Sequence, residues 1–447
     1  MEDGHIAKKI LLVIVLTILA FPNLFYRYAC AAPRVADPVI VSTSKMPFLQ
    51  RLPVGNFRIF ASVKGTFNPI PFQIDEKSSE EDYVFPKGAK SKKKDYGRIG
   101  EFDELVFMSK DSGDRVPKNK IPYGFEKGAE IEINDPLTKG KSYVYLLYSR
   151  NVETMPVSDK KYINAAGKQW VEGTYYRVGR STEEQAEKHQ NIVDYFAILK
   201  DAGGNGENIL DRVKYRSRVV ALGGTVRFER DESNFRTQLI AELDGPIRTI
   251  SHFKNSVYLI MRITTPPQTY NVTYYYNGYI TPVYIDIPID LSIIKNLVKT
   301  AYFQSTLDFN ESAIGMFYYN PLHKRGILID GKPSRKEENI EKEPFQWVVI
   351  AGEKQGAWML RVVPPKKNFP LGLNCYFVDD ITKPDSPEGI KGQIGNMGFT
   401  VSNIMEAKAG RHKVLTYVYF LPGYKPGDEK AYLNIEDNPL QVKVEEL

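Results

Sequence analysis

The chain has little cysteine and little histidine, and each shortage excludes a class of protein. Its 447 residues include 2 cysteines and 5 histidines, with no zinc-site spacing among them. The glycine-rich stretch DAGGNGEN (201–208) lacks both the lysine of a phosphate-binding loop and the GxGxxG register. A serine nucleophile elbow is also missing. The formal net charge of +6 is too small to indicate binding to nucleic acid.

Long apolar runs are also scarce, apart from one at the amino terminus. Two lysines precede it, it extends over residues 10–21, and the small residues 29–32 follow. This order is typical of a secretory signal peptide, and we expect cleavage after Ala31. Twelve residues are short for a membrane span of roughly twenty, although extension through Tyr26 leaves a retained anchor as the alternative. We predict an exported protein: periplasmic, on the cell surface or secreted.

Cleavage would leave Cys375 as the only cysteine, so we expect the exported protein to fold without an internal disulfide. Aromatic and β-branched runs are abundant instead. The sequence has 28 tyrosines and 23 phenylalanines, which favour strands, and turn residues separate the runs. The clearest predicted strands cover 56–63, 141–149, 224–230, 256–264, 270–287, 345–352, 356–363 and 412–422. We therefore predict a mainly β protein.

Helical patterns are few and short. Ser181 and Glu184 have the spacing of a capping box before a run that ends near residue 200. Part of that run, IVDYFAILK (192–200), fits a buried strand equally well. Residues 290–304 have a helix-like apolar period and are predicted to be helical.

The stretch GEFDELVFMSKDSGD (100–114) sets acidic residues on both sides of an apolar run. A strand there is apolar on both faces, which predicts burial on both sides. The alternative is a calcium site, for which the candidate ligands are Asp103, Glu104, Asp111 and Asp114. Their spacing matches no dedicated calcium loop. Apart from calcium, we expect no cofactor.

Three segments carry a resemblance: IPFQIDE (70–76), FDELVFMSKDSGD (102–114) and LDGPIRTI (243–250). Together they resemble segments of uncharacterised exported bacterial proteins, whose related families are often assigned to the galactose-mutarotase-like β-supersandwich group. Some polysaccharide lyases and sugar epimerases share that fold. The resemblance implies a large antiparallel β-supersandwich-like body with few short helices. It does not carry over any chemistry, since one fold hosts many functions.

An enzyme of this kind would need a base and a cation near the sugar. His252 and Arg248 are the candidate catalytic residues, because a strand over GPIRTISHF puts both side chains on one face. The histidine, glutamate and aspartate constellation of the mutarotases cannot be placed on this sequence. The alternative interpretation of His252 is a structural or exposed imidazole.

A ligand-binding surface is the alternative to a catalytic site. The candidate ligand-binding residues are Arg216, Arg218, Arg227, Tyr274 and Tyr276. Strand alternation would gather them into a basic, aromatic-lined sheet face. Arginine pairs with carboxylates or sulfates and aromatic rings stack on sugars, so an acidic glycan would suit such a face. The alternative is that these residues only cover a solvent-facing sheet.

We divide the chain into a signal peptide (1–31), a supersandwich-like region (40–330) and a C-terminal β region (345–447) that either completes the same fold or forms a separate sandwich. The favoured function is non-enzymatic: binding or envelope assembly, with an anionic polysaccharide or envelope component as partner. A carbohydrate-active enzyme, of polysaccharide lyase or sugar epimerase type, and a purely structural envelope component are the alternatives. We expect membrane contact only if the signal segment is retained.

Overall fold

The computed structural model describes most of the chain after residue 33. The described residues are 34, 37–85, 96–165, 170–179, 193–260, 263–264, 268–287, 290, 295–364, 371–385, 390–406 and 408–447. The predicted signal peptide lies outside them, so export and cleavage stay predictions.

Strands make up most of the described structure. Those of the first half are β1 (Pro38–Ser42), β2 (Phe57–Val63), β3 (Thr66–Pro69), β4 (Phe72–Asp75), β5 (Glu104–Met108), β6 (Lys127–Asn134), β7 (Lys141–Tyr148), β8 (Ile163–Asn164), β9 (Trp170–Gly173), β10 (Tyr176–Gly179), β11 (Tyr195–Ile198), β12 (Leu210–Ala221) and β13 (Val226–Arg230).

The remaining elements follow in the second half. They are β14 (Phe235–Asp244), β15 (Thr249–Ile260), β16 (Ile263–Thr264), β17 (Gln268–Tyr275), β18 (Gly278–Ile287), β19 (Val298–Phe309), β20 (Phe317–Tyr319), β21 (Ile327–Leu328), β22 (Trp347–Gly352), β23 (Gly356–Val363), β24 (Gly372–Asp385), β25 (Ile390–Ser402), β26 (Gly410–Phe420), the helix α1 (Glu429–Asp437) and β27 (Gln441–Glu446).

These strands form antiparallel sheets. A three-stranded sheet has the order β1-β5-β4, and an amino-terminal five-stranded sheet has the order β27-β6-β7-β2-β3. A ten-stranded sheet runs β14-β15-β17-β18-β26-β23-β22-β20-β21, with β16 beside β15. A second five-stranded sheet runs β13-β12-β19-β25-β24, and a four-stranded sheet runs β11-β10-β9-β8. The predicted mainly antiparallel β fold is confirmed.

The strand β5 lies between two packed layers. Leu105 and Phe107 belong to the core between the three-stranded and the amino-terminal five-stranded sheets. Val106 and Met108 point the other way and pack beside the ten-stranded sheet, against Tyr276 among others. Every side chain from residue 105 to 108 is fully buried. The predicted burial of this strand on both faces is therefore confirmed.

The ten-stranded sheet and the second five-stranded sheet pack face to face over the largest core. Strand β26 shows the alternation behind this arrangement: Val414, Val418 and Phe420 are buried in that core. Tyr417 and Tyr419 alternate with them and lie half-buried on the outer face of the sheet. The three-stranded sheet and α1 both lie on this outer side.

The helical predictions fare differently from the strand predictions. The predicted helix over 290–304 is wrong from residue 298 on, since Val298–Phe309 forms β19 and pairs with β12 and β25, while Lys295–Leu297 forms a single 3-10 turn. Sheet pairing on both sides outweighs the local apolar period there. Residues 180–192, including the capping box, lie outside the described residues. The strand alternative for 192–200 agrees with β11, whose Phe196 and Ile198 are buried.

The carboxyl-terminal third shares its sheets with earlier parts of the chain. Strands β22, β23 and β26 lie in the ten-stranded sheet next to β18, and β24 and β25 extend the sheet of β12 and β19. The last strand, β27, pairs with β6 near the start of the chain. Within the described residues, no helix has the length and apolar character needed to cross a membrane.

Candidate functional site

The outer side of the ten-stranded sheet carries a cluster that we call the tyrosine platform, formed by Lys110, Tyr162, Tyr175 and Tyr276. Strand β5 positions Lys110, because the buried Met108 anchors the turn that follows the strand. Tyr276 lies in the turn between β17 and β18. The two turns meet where the three-stranded sheet covers the ten-stranded sheet.

The rings of the platform contact one another closely around Tyr276. The centroid of its ring is 4.9 Å from that of Tyr175 and 5.4 Å from that of Tyr162, both in edge-to-face orientation. The ammonium of Lys110 lies 3.6 Å from the Tyr276 centroid and 4.2 Å from the Tyr162 centroid. Tyr175 and Tyr276 are half-buried, so the platform reaches solvent.

The electrostatics single out Tyr276 within the platform. Burial alone would raise its pKa, but hydrogen bonds with Tyr175 and Lys110 and the positive charge of Lys110 outweigh burial and lower the pKa. Burial raises the pKa of Tyr175, as does its hydrogen bond with Tyr276. Burial and a hydrogen bond to Asp111 raise that of Tyr162. A tyrosine with a lowered pKa at a solvent-reaching site is a functional candidate.

A second cation borders the platform. The ammonium of Lys160 lies 4.5 Å from the Tyr162 ring centroid and 3.1 Å from Asp111 Oδ1. The Lys160 side chain is 52% exposed. This surface therefore carries two ammonium groups, of Lys110 and Lys160, and the carboxylate of Asp111.

Beside the platform lies a buried ion-pair network, the Arg248 clasp, formed by Gln73, Asp75, Glu104 and Arg248. Arg248 Nε donates to Asp75 Oδ2 over 2.7 Å, and Arg248 Nη2 donates to Glu104 Oε2 over 2.6 Å. The arginine side chain is 1% exposed. Gln73 Oε1 accepts the backbone N–H of Arg248 over 2.9 Å, while Gln73 Nε2 donates to Asp75. The three segments of the sequence resemblance thus converge in one network.

The pKa values of the two carboxyls in the clasp shift in opposite directions. Burial raises the pKa of Asp75 above its ordinary value in spite of Arg248. Burial acts in the same direction on Glu104, but the charge of Arg248 and hydrogen bonds from Arg248 and Lys77 lower the pKa of that group. The guanidinium also lies 3.4 Å from the hydroxyl of Tyr275, the neighbour of Tyr276. The clasp therefore fixes the three-stranded sheet next to the platform.

The predicted catalytic pair lies on one side of the ten-stranded sheet but does not form a common site. His252 Nδ1 is 2.7 Å from Asn271 Oδ1, and its ring stacks on Phe85 with centroids 4.9 Å apart. Arg248 instead uses its guanidinium in the clasp, away from solvent. The proposed roles of these two residues stay predictions.

The predicted basic, aromatic face is not assembled as expected. Arg216 is buried, and it pairs with Asp385 at the end of β24 and with Glu232 in the turn between β13 and β14. Arg218 pairs with Glu229 at a solvent-exposed edge of that sheet, and Arg227 is exposed nearby.

The two predicted tyrosines belong to the other large sheet and do not share a face. Tyr274 points into the core, where it is 2% exposed. Tyr276 follows the last residue of β17, so the strand alternation assumed for it does not extend to it. Of the predicted ligand-binding residues, the platform contains Tyr276.

The four candidate calcium ligands have separate surroundings. Asp103 is buried and accepts backbone N–H groups of Lys77 and Gly100. Glu104 belongs to the Arg248 clasp, and Asp111 accepts the hydroxyl of Tyr162. Asp114 joins a backbone bridge to Ser62. Within the described ranges, no group of three or more histidine, cysteine, aspartate or glutamate side chains could hold a metal. Three of these carboxylates bind protein groups, and calcium binding stays a prediction.

Arg216 belongs to a second buried charge cluster, in the second five-stranded sheet. The ammonium of Lys214 is fully buried and contacts Asp308 Oδ2 at 2.5 Å and also Asp385. Burial raises the pKa of Asp308 to about 6, although Lys214 acts against that rise. The cluster links β12, β19 and the end of β24.

Sequence reasoning missed three residues of the platform. Lys110 lies inside the stretch 100–114, but the interpretation of that stretch rests on its apolar and acidic residues. Tyr162 and Tyr175 have no sequence signal, because nothing local places them next to residue 276. The raised aromatic content of the chain predicts strands and does not locate such contacts.

Comparison with known proteins gives no family. No protein-family model matches the chain, and no curated protein matches it. Among solved structures, an alpha-mannosidase from Enterococcus faecalis V583 is similar at 10% identity, over 92% of this chain and 44% of that chain, with a TM-score of 0.42. A protein in the glycosyl hydrolase family 38 from Enterococcus faecalis is similar at 9% identity, over 92% and 45%, with a TM-score of 0.41. The chain spans less than half the length of these proteins. TM-scores this low do not place it in their family.

Proposed function

We propose that this protein is an exported carbohydrate-binding protein and that the tyrosine platform is its binding surface. The observation that carries the proposal is the half-buried Tyr276 ring, which lies 3.6 Å from the ammonium of Lys110. Aromatic rings offer apolar faces to the C–H groups of sugars, and their hydroxyls bond sugar oxygens.

The charge at the platform favours an anionic glycan over a neutral one. Lys110 and the more exposed Lys160 lie beside the rings, and Asp111 is the carboxylate that contacts Lys160. A uronate carboxylate or a sulfate ester would gain charge-assisted hydrogen bonds from the two ammonium groups. The Arg248 clasp supports this surface from behind, since it holds Tyr275 in place.

The test is retention on a panel of anionic and neutral polysaccharides. We expect the wild type to be retained by anionic glycans and Tyr276→Ala and Lys110→Met to bind about tenfold more weakly, about 1.4 kcal/mol. Tyr143→Ala is a matched control, because Arg115 lies over that ring at 5.6 Å in the amino-terminal sheet. Equal losses in the control, or no retention of the wild type, would refute the proposal.

A carbohydrate-active enzyme is the second candidate, and the lowered pKa of Tyr276 favours it. A phenol that loses its proton more easily than usual can act as a general base towards a sugar C–H or O–H group. The variant Tyr276→Phe separates the two functions, since it keeps the ring and removes the hydroxyl. An enzyme would lose product formation while retaining substrate, whereas a binding protein forms no product in either form.

A further inference from the structure

A cavity lies between the ten-stranded sheet and the second five-stranded sheet, on the side of the sheet opposite the platform. Its volume is about 100 Å³. Protein interiors are normally filled to crystal-like density, with few voids larger than a water molecule. A cavity of this size between the two sheets is therefore a candidate ligand site.

The lining of the cavity is apolar with a small number of hydroxyl groups. Valine and leucine side chains form about half of the wall, tyrosine rings form much of the rest, and Ser305, Thr281 and Thr416 contribute short polar side chains. Among the described residues of the lining there is no aspartate, glutamate, lysine, arginine or histidine. A charged molecule would lose its hydration against these residues without gaining a counter-ion from them, so this wall favours a neutral ligand.

Four tyrosines converge on the cavity, and two of them present unused hydroxyls. Tyr215, Tyr270, Tyr274 and Tyr279 all line it, and the rings of Tyr274 and Tyr279 lie 5.5 Å apart. Within the described part of the chain, neither Tyr215 nor Tyr279 forms a hydrogen bond through its hydroxyl. Both side chains are partly exposed, and a hydroxyl without a protein partner usually bonds water or a ligand.

The protonation of these phenols determines which partner suits them. Burial raises the pKa of Tyr215 to about 12 and raises that of Tyr279 well above its ordinary value. Both groups therefore keep their protons at neutral pH and can donate hydrogen bonds. Their best partner is an oxygen that accepts them, attached to an apolar body that fills the rest of the space.

We propose that this cavity binds a neutral small molecule, no larger than about a six-membered ring, that carries a hydrogen-bond-accepting oxygen. The size follows from the volume, since an engineered apolar cavity of about 150 Å³ takes up benzene. The apolar wall accepts the body of the ligand, and the hydroxyls of Tyr215 and Tyr279 bind its oxygen. This site is separate from the tyrosine platform.

The probes are cyclopentanone and methylcyclopentane, which have equal numbers of heavy atoms and differ in the acceptor oxygen. We expect cyclopentanone to bind saturably by saturation-transfer NMR. Tyr279→Phe and Tyr215→Phe should each weaken its binding about fivefold, in the range of one lost hydrogen bond. Neither variant should weaken the binding of methylcyclopentane. Tyr143→Phe, in the amino-terminal sheet, should change neither.

Val213→Phe fills the cavity and should abolish binding of both probes, provided that circular dichroism shows the native β signal. The two tyrosine variants keep the test valid if this larger change prevents folding. The proposal would be overturned if cyclopentanone did not bind, or if its affinity were the same in both phenylalanine variants. A lower melting temperature of Tyr279→Phe without any probe binding would indicate that ordered water alone fills the cavity, which also overturns it.

Discussion

Removing the guanidinium of the Arg248 clasp tests whether that network holds the three-stranded sheet against the ten-stranded sheet. In Arg248→Met, a side chain of similar length leaves Asp75 and Glu104 without their shared cation. These side chains are 6% and 18% exposed, so solvent cannot replace it fully. Breaking a buried ion pair from one side costs about 3–5 kcal/mol. We expect a loss of unfolding free energy of that size at pH 8.

The loss should depend on pH in a defined direction. Burial raises the folded-state pKa of Asp75 even with Arg248 in place, and without Arg248 it raises that pKa further above the unfolded value, while Glu104 keeps Lys77 as a partner. A group with a raised folded pKa stabilises the fold at low pH and loses that contribution as pH rises. The loss of unfolding free energy in Arg248→Met should therefore be smaller at pH 5 than at pH 8. Each carboxyl that takes up a proton restores about 1.4 kcal/mol per pH unit.

Urea unfolding of both proteins at pH 5, 6.5 and 8 measures these differences. Arg218→Met is the matched control, because its pair with Glu229 is 41% and 54% exposed. Exposed pairs contribute about 0–1 kcal/mol, so this variant should remain close to the wild type at every pH. The reasoning fails if Arg248→Met loses no more than the control, or if its deficit is the same at pH 5 and pH 8.

Three further predictions concern the Lys214–Asp308 charge cluster, the glycine beside Gln73 and the buried cysteine. Burial raises the pKa of Asp308 to about 6, so the wild type should gain up to about 3 kcal/mol over Asp308→Asn as pH falls from 7 to 4. A pH-independent difference in urea unfolding would contradict this. A Cβ on Gly245 would lie 2.1 Å from Gln73 Oε1, so Gly245→Ala should lose about 1–3 kcal/mol of unfolding free energy. Gly55→Ala, with open space around its Cβ, should lose less than about 1 kcal/mol. Burial raises the pKa of Cys375 to about 11, so iodoacetamide should modify it, by peptide mass analysis, only after unfolding; labelling of the native protein would refute this.

The pattern of the sequence determined the strands and the burial of β5. Alternation and aromatic runs are local properties, and the strands at 141–148 and 410–420 follow them closely. The apolar run 105–108 has no polar face, so no half-exposed arrangement could accommodate it. The same local reasoning failed over residues 298–309, where pairing with two distant strands decides the conformation.

The tertiary structure alone decided which residues meet. Arg248 was selected from the sequence as a candidate catalytic cation, yet its carboxylate partners lie 173 and 144 residues away along the chain. Arg216 could not be identified as buried, because Asp385 reaches it from a strand 169 residues later. Tyr276 was selected, but Lys110 and Tyr175 were not. Periodicity specifies which face of a strand a side chain occupies, whereas the opposing surface depends on how distant sheets pack together, and that packing determines charge, burial and access.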